Sequence, residues 1–267
     1  MTFLEALILG IIQGLTEFLP VSSSGHLELT KELFGLDLEG NQSKLVTIVL
    51  HGATALSTVV VYWKDIKGLV VGLFKFKWNW ETKYVLMIVI SMIPVFLAYV
   101  FFKDFIDTFF EGQVILVGCM LLVTAVLLYV THRFGAGEGE MTKGRSVIVG
   151  LSQAIAILPG ISRSGSTIAS SLLLGISKEK AARFSFLMVL PVIFGGMLIE
   201  AKDFVEEGAE QQLDGMALIV GFVTAFLVGV IACRWMVAIV KKSKLSYFAL
   251  YCAIVGVIAV VAGVSMA

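Results

Sequence analysis

The chain has 267 residues, of which 58% are hydrophobic and 15% charged, with a mean hydropathy of +0.95. That composition excludes a soluble enzyme and places the chain among all-α polytopic membrane proteins, one integral membrane domain over residues 1–267. Its 20 basic and 20 acidic residues cancel, and the basic ones are scattered over short loops, which leaves no patch for a nucleic-acid partner.

Taken in order, Phe3 to Ile12 is almost wholly apolar, yet too short to cross a bilayer before Pro20. The start has neither a basic n-region nor a small-residue cleavage site and is expected to belong to the fold. Between these residues and the next apolar run stands Gln13-Gly-Leu-Thr-Glu17-Phe-Leu-Pro20-Val-Ser22-Ser23-Ser24-Gly25-His26, with an amide, a carboxylate, three hydroxyls and an imidazole in apolar surroundings. A helix that stops at membrane depth must turn back, and irregular backbone is tolerated there only beside protein or a water-filled cavity. The stretch therefore predicts a re-entrant hairpin lining a polar pocket, with a return arm over 23–34 and a polar link over 37–44. Ionisable groups placed there are functional candidates.

Spans follow at Val46 to Trp63, Tyr84 to Phe102 and Gln113 to Thr131, each near the ~20 apolar residues that cross a bilayer. Between the first two, Phe74, Phe76, Trp78 and Trp80 interleave with lysines, as in an interfacial amphipathic segment. His51 reads as structural and His132 as interfacial. Cys119, Cys233 and Cys252 each sit singly in an apolar run and read as small core hydrophobes. Glu5, Glu28, Glu32 and Glu200 fall near span ends, where solvated or interfacial roles are expected.

A second polar stretch, Leu158-Pro159-Gly160-Ile161-Ser162-Arg163-Ser164-Gly165-Ser166-Thr167, repeats the first. A shift of 140 positions lays Gly10 on Gly150, Gln13 on Gln153, Ser22 on Ser162, Ser24 on Ser164, Gly25 on Gly165, Leu33 on Leu173 and Gly35 on Gly175. Spans at Ala181 to Glu200, Met216 to Trp235 and Tyr247 to Val264 complete the pattern: a hairpin plus three spans, twice, over about 1–135 and 141–267. Three is odd, so the second copy enters from the opposite side. That is the inverted-topology arrangement, which brings both broken segments together near the midplane. Glycines along the spans (Gly118, Gly195, Gly196, Gly221, Gly229, Gly256) suit close helix packing.

Lysine and arginine fix the orientation. Lys64, Lys67, Lys75, Lys77 and Lys83 fall in one loop, Arg133, Lys143 and Arg145 in a second, Lys178, Lys180 and Arg183 in a third, and Lys241, Lys242 and Lys244 in a fourth. By parity all four share a face, predicted cytoplasmic. The opposite face has few basic residues (Lys31, Lys44, Lys103, and Lys202 beside Glu206, Glu207 and Glu210), so both termini are expected outside.

Chemically, Arg163 amid Ser162, Ser164, Ser166 and Thr167, with Gly160 and Gly165, has a phosphate-binding composition: a guanidinium forks onto two oxygens, and hydroxyls and amides take others. The plain alternative for Arg163 is an ion pair with Glu17. Gln13 and Glu17 are four residues apart and face one way; Glu17 could bind Mg²⁺ or Ca²⁺, orient water, act as a base, or balance Arg163. Ser23 and His26, three apart, are near enough for an imidazole to take a hydroxyl proton.

The two polar stretches, Gln13-x-x-x-Glu17 with Pro20-Val-Ser-Ser-Ser-Gly-His26 and Pro159-Gly-Ile-Ser-Arg-Ser-Gly-Ser-Thr167, resemble the signature motifs of the bacterial undecaprenyl pyrophosphate phosphatases, membrane enzymes linked to bacitracin resistance. The resemblance covers nearly the whole chain. One position varies: the first acidic position of the family's glutamate-rich motif is Gln13 here. The resemblance implies hydrolysis of undecaprenyl pyrophosphate for cell-wall synthesis in the bacterial inner membrane, with the pocket open to the outer side. It also implies that Glu17, Ser23, His26 and Arg163 correspond to the catalytic set, with Ser162 and Thr167 contacting phosphate. Gln13, Ser22, Ser24 and Ser164 are the further substrate-binding candidates, and Glu17 is the candidate metal ligand. Inverted repeats with broken helices also suit a transporter or flippase for an anionic lipid. The asymmetry between the copies favours the enzyme. The oligomeric state is left open, a homo-oligomer included.

Overall fold

The computed structural model describes residues 1–35, 41–107, 113–135, 137–206, 214–242 and 245–266. Among them every regular element is helical: α1 (Phe3–Thr16), α2 (Ser23–Phe34), α3 (Asn41–Val61), α4 (Trp63–Leu73), α5 (Trp80–Asp107), α6 (Val114–Phe134), α7 (Lys143–Ile155), α8 (Arg163–Leu173), α9 (Lys178–Glu206), α10 (Gly215–Lys241) and α11 (Leu245–Met266). Five helices are long and apolar enough to cross a membrane, and six if Leu45–Val61 and Trp63–Leu73, bent by 79°, count as one span. Residues 37–40 of the expected polar link and the residues Glu207, Glu210 and Lys244 lie outside the described residues, as do the side chains of Lys44, Lys103, Glu200, Glu206 and Lys241. The helix α3 begins at Asn41, inside that link.

Two short helix pairs interrupt the long helices where the sequence turns polar. The break between α1 and α2 contains Pro20, and that between α7 and α8 contains Pro159, residues that remove a backbone donor and stop a helix. Both return arms start alike: Ser22 caps α2 by accepting from the Gly25 N–H at 3.3 Å, and Ser162 caps α8 by accepting from the Gly165 N–H at 3.0 Å. Both also stop alike, at Gly35 (φ 56°) and Gly175 (φ 76°), in the left-handed region that glycine enters without strain. The sequence echo is thus an echo of local structure.

Packing crosses between the halves. α1 lies along α10 and α7 along α5, while α3 meets α9 and α6 meets α11. Gly10 and Gly14 let α1 sit on α10, since a Cβ there would come within 2.7 Å of Gly221 O and 2.8 Å of Ala225 O. Gly118 and Gly256 do the same where α6 crosses α11. Gly195 and Gly196 do not, for nothing lies within 4 Å of a Cβ at either. The core gathers around Phe18, whose ring stands 5.8 Å from that of Phe186 and anchors the first turn. Cys233 and Cys252 are buried as expected, but Cys119 points outward from α6, because Gly118 and not Cys119 occupies the α11 contact.

Candidate active site

The two helix breaks meet. Gly160 N–H donates to Ser22 Oγ at 3.1 Å, Ser164 Oγ donates to Leu19 O at 3.1 Å, and a Cβ on Gly25 would lie 3.1 Å from Gly160 Cα. Ser22 holds a positive φ of 71°, an uncommon conformation for a residue with a Cβ that costs on the order of 1–3 kcal/mol. Its hydroxyl accepts two N–H groups, one from each turn, which offsets that strain. Gly160 (φ 96°) has no room for a side chain, since a methyl there would stand 2.5 Å from Val117 O. Two neighbouring spans hold the turns from behind. Thr124 of α6 donates to Gly160 O at 3.0 Å and accepts from Ser162 N–H at 3.1 Å, and Cys252 of α11 reaches Pro20 O at 3.6 Å.

Glu17, at the end of α1 and only 7% exposed, is the centre of the polar contacts. One carboxylate oxygen, Oε1, accepts from Arg163 Nη2. The other, Oε2, accepts from Ser23 Oγ at 2.7 Å and from Gln13 Nε2 at 3.2 Å, and has His51 Nε2 at 3.8 Å. A carboxylate buried this deeply needs such partners; removing the cation would leave an uncompensated charge. Two polar atoms in the cluster are buried without a hydrogen-bond partner among the described residues: Arg163 Nη1 and Gln13 Oε1. The first is a donor and the second an acceptor, both available to a ligand. Ser23 and Arg163 are the first residues of α2 and α8, so the positive ends of two helices converge on the same point.

The unpartnered Arg163 donor and the two helix N-termini therefore describe a site for an anion next to a hydroxyl that donates to a carboxylate. Comparison decides the family. The profile described as bacitracin resistance protein BacA matches residues 6–258. The chain belongs to this family. It is 52% identical over 263 residues to an undecaprenyl-diphosphatase of Bacteroides fragilis, covering 98% of each chain. The corresponding figures are 50% for a protein of that name in Bacteroides thetaiotaomicron, covering 98% of this chain and 99% of the relative, and 41% in Halothermothrix orenii, covering 98% of both.

In this BacA chain the expected residues divide into two groups. Glu17, Ser23, Arg163 and Gln13 form one connected cluster. Ser22, Ser162 and Ser164 have their hydroxyls committed to holding the turns, and Ser24 Oγ lies 3.4 Å from Ser22 Oγ. Thr167 faces away, donating to Arg163 O at 2.9 Å and standing 2.6 Å from Ser185 Oγ on α9. His26 does not contact Ser23. Its Nδ1 is 2.8 Å from Ser22 O and its Nε2 2.9 Å from the Tyr251 hydroxyl, because the start of α2 turns the imidazole toward α11. The group within reach of the Ser23 proton is Glu17.

Sequence reading missed three contributors. His51, read as structural, faces Glu17; Thr54 lies 3.4 Å from Gln13 Nε2; Thr124 fastens the second turn. All are single polar residues in apolar spans, a signal that Thr124 and Thr54 share with many packing residues.

Among the described residues no three His, Cys, Asp or Glu side chains come together as a metal cage. Glu17, whose oxygens already accept from Arg163, Ser23 and Gln13, and the unpartnered Gln13 Oε1 are the oxygens of the cluster that could hold a hard cation arriving with phosphate oxygens.

Proposed function

We propose that this chain hydrolyses undecaprenyl pyrophosphate to undecaprenyl phosphate and inorganic phosphate, recycling the lipid carrier for cell-wall synthesis and conferring bacitracin resistance. The observation that carries this reading is identity to curated undecaprenyl-diphosphatases over nearly the full length, in a chain whose Glu17–Ser23–Arg163 cluster suits phosphoryl transfer.

In the proposed reaction Ser23 Oγ attacks the distal phosphorus. Its proton passes to Glu17, the P–O bond to the lipid phosphate breaks, and the lipid monophosphate leaves with the electron pair and takes up the proton from Glu17. Water then cleaves the phosphoserine, returning a proton to Ser23 Oγ and releasing phosphate. Arg163, through its unpartnered Nη1, and the two helix N-termini neutralise charge on the phosphoryl oxygens. Ser22, Ser24, Ser162 and Ser164 are assigned to shaping the phosphate site, with Gln13 at its edge, while Thr167 steadies α8 from behind through Arg163 O and Ser185 on α9. A bound Mg²⁺ or Ca²⁺, held by Glu17 and Gln13, would supply further charge neutralisation on the pyrophosphate. His26 lines the same site on the lipid side.

We further infer two inverted repeats, about 1–135 and 141–267, six full spans, both termini outside, and a pocket open to the periplasmic side of the inner membrane. The 140-residue echo, the matching caps and the exchanged packing of α1 on α10 and α7 on α5 support the repeats. The grouping of lysines and arginines supports the orientation. The deciding experiment is phosphate release from the pyrophosphate lipid by detergent-purified protein. Turnover without any membrane is expected; a transporter of the anionic lipid would release no phosphate there.

A further inference from the structure

Tyr251 of α11 has no part in the chemistry above, yet it is the partner of His26. Its hydroxyl is 2.9 Å from His26 Nε2, and the two rings stack with centroids 5.6 Å apart and an interplanar angle of 12°. Ser22 O, beside Nδ1, can only accept, so Nδ1 carries the hydrogen. In the neutral ring Nε2 is then an acceptor, and the Tyr251 O–H donates to it.

Position gives this contact a meaning. Tyr251 is 43% exposed, and Ile254 and Ile258, three and seven residues on along the same helical face, are 52% and 61% exposed. That face of α11 is turned to the lipid, whereas His26 stands one turn beyond Ser23 on α2. The pair therefore marks the border between the polar pocket and the hydrocarbon. A pyrophosphate lipid is joined to its tail through the proximal phosphate, so with the distal phosphorus at Ser23 a tail lying in the hydrocarbon draws the proximal phosphate toward that border.

We propose that Tyr251 is a substrate-binding residue for the lipid-linked phosphate: its phenolic O–H turns from His26 Nε2 to a phosphate oxygen, while the stacked imidazole keeps the ring in place. Phosphate offers only acceptors and the phenol a donor, and a half-exposed tyrosine has a polar tip and an apolar body suited to such a border. The assignment rests on the phosphatase reading.

The test is steady-state hydrolysis of an isoprenoid pyrophosphate by the full-length purified protein and its Tyr251→Phe variant, which keeps the ring and the stack. Loss of a hydrogen bond to a charged oxygen made equally in ground and transition states should raise KM roughly tenfold or more and leave kcat within about threefold. An unchanged KM overturns the assignment, and so does a fall in kcat at constant KM. A second pair guards against a folding defect: Tyr251→Gln keeps a donor without the ring, Tyr251→Leu keeps neither, and KM should be lower in the glutamine variant. Equal KM values in that pair also overturn it. Absence of phosphate release by the wild-type protein would instead contradict the phosphatase reading itself.

Discussion

The first and second helix breaks share a scaffold and differ in chemistry. Both have a serine N-cap, a glycine three residues later and a left-handed glycine at the far end. Where the first has Glu17, Ser23 and His26, the second has Ile157, Arg163 and Ser166. The equivalent glutamines diverge accordingly. Gln13 donates to Glu17, whereas both amide atoms of Gln153 are buried without a partner among the described residues. The frame is the same at both breaks, and different residues at a few positions make the first the source of the hydroxyl and carboxylate and the second the source of the cation. The Glu17–Arg163 contact joins the two breaks.

The comparison breaks first at Glu17. Glu17→Gln removes the proton acceptor of Ser23 and strands the Arg163 charge, so kcat should fall by roughly 10³-fold, within the range for loss of a general base. Phosphate release measures it, with circular dichroism to show that the helices persist; a fall of less than tenfold would remove Glu17 from the proton path. Next is Arg163→Lys, which keeps the charge and loses the planar fork, with an expected loss of about 10²-fold. Near-normal turnover would reduce Arg163 to a counter-ion for Glu17. Thr124→Val then tests the support rather than the chemistry. It leaves Gly160 O and Ser162 N–H without their threonine partner and should destabilise the protein by about 1–3 kcal/mol, read as a lower thermal midpoint in detergent. The smallest effect is expected at Gly195→Ala, where a methyl meets open space and the stability change should stay within about ±0.5 kcal/mol. A large drop there would mean that α9 packs on something else.

Both breaks, their return arms and the long helices were legible in the sequence, because a cluster of polar residues and a proline inside an apolar run is costly in a membrane unless the chain turns there. The return arm expected over 23–34 coincides with α2, and the serine caps and glycine stops that bound both arms emerge from the structure. What could not be read was the direction of side chains. Spacing put His26 one turn from Ser23 and suggested a base, but ring direction depends on Tyr251, which is 225 residues away. His51 and Thr124 were hidden for the same reason, since a lone polar residue in a span shows its partner only after helices pack. Gly195 and Gly196 show the converse, small residues in a span where a Cβ would meet open space.

Attack of Ser23 on phosphorus with its proton held by Glu17 is tested most directly by rapid-quench analysis with a pyrophosphate lipid radiolabelled in the distal phosphate. Wild-type protein should yield labelled phosphoserine at Ser23 within the first turnover, and Ser23→Ala should release no measurable phosphate. If serine only hydrogen-bonds the substrate, its loss should cost about 1–3 kcal/mol, or one to two orders of magnitude in rate. A residual rate of that size in Ser23→Ala, together with no labelled serine in the wild type, would contradict the account.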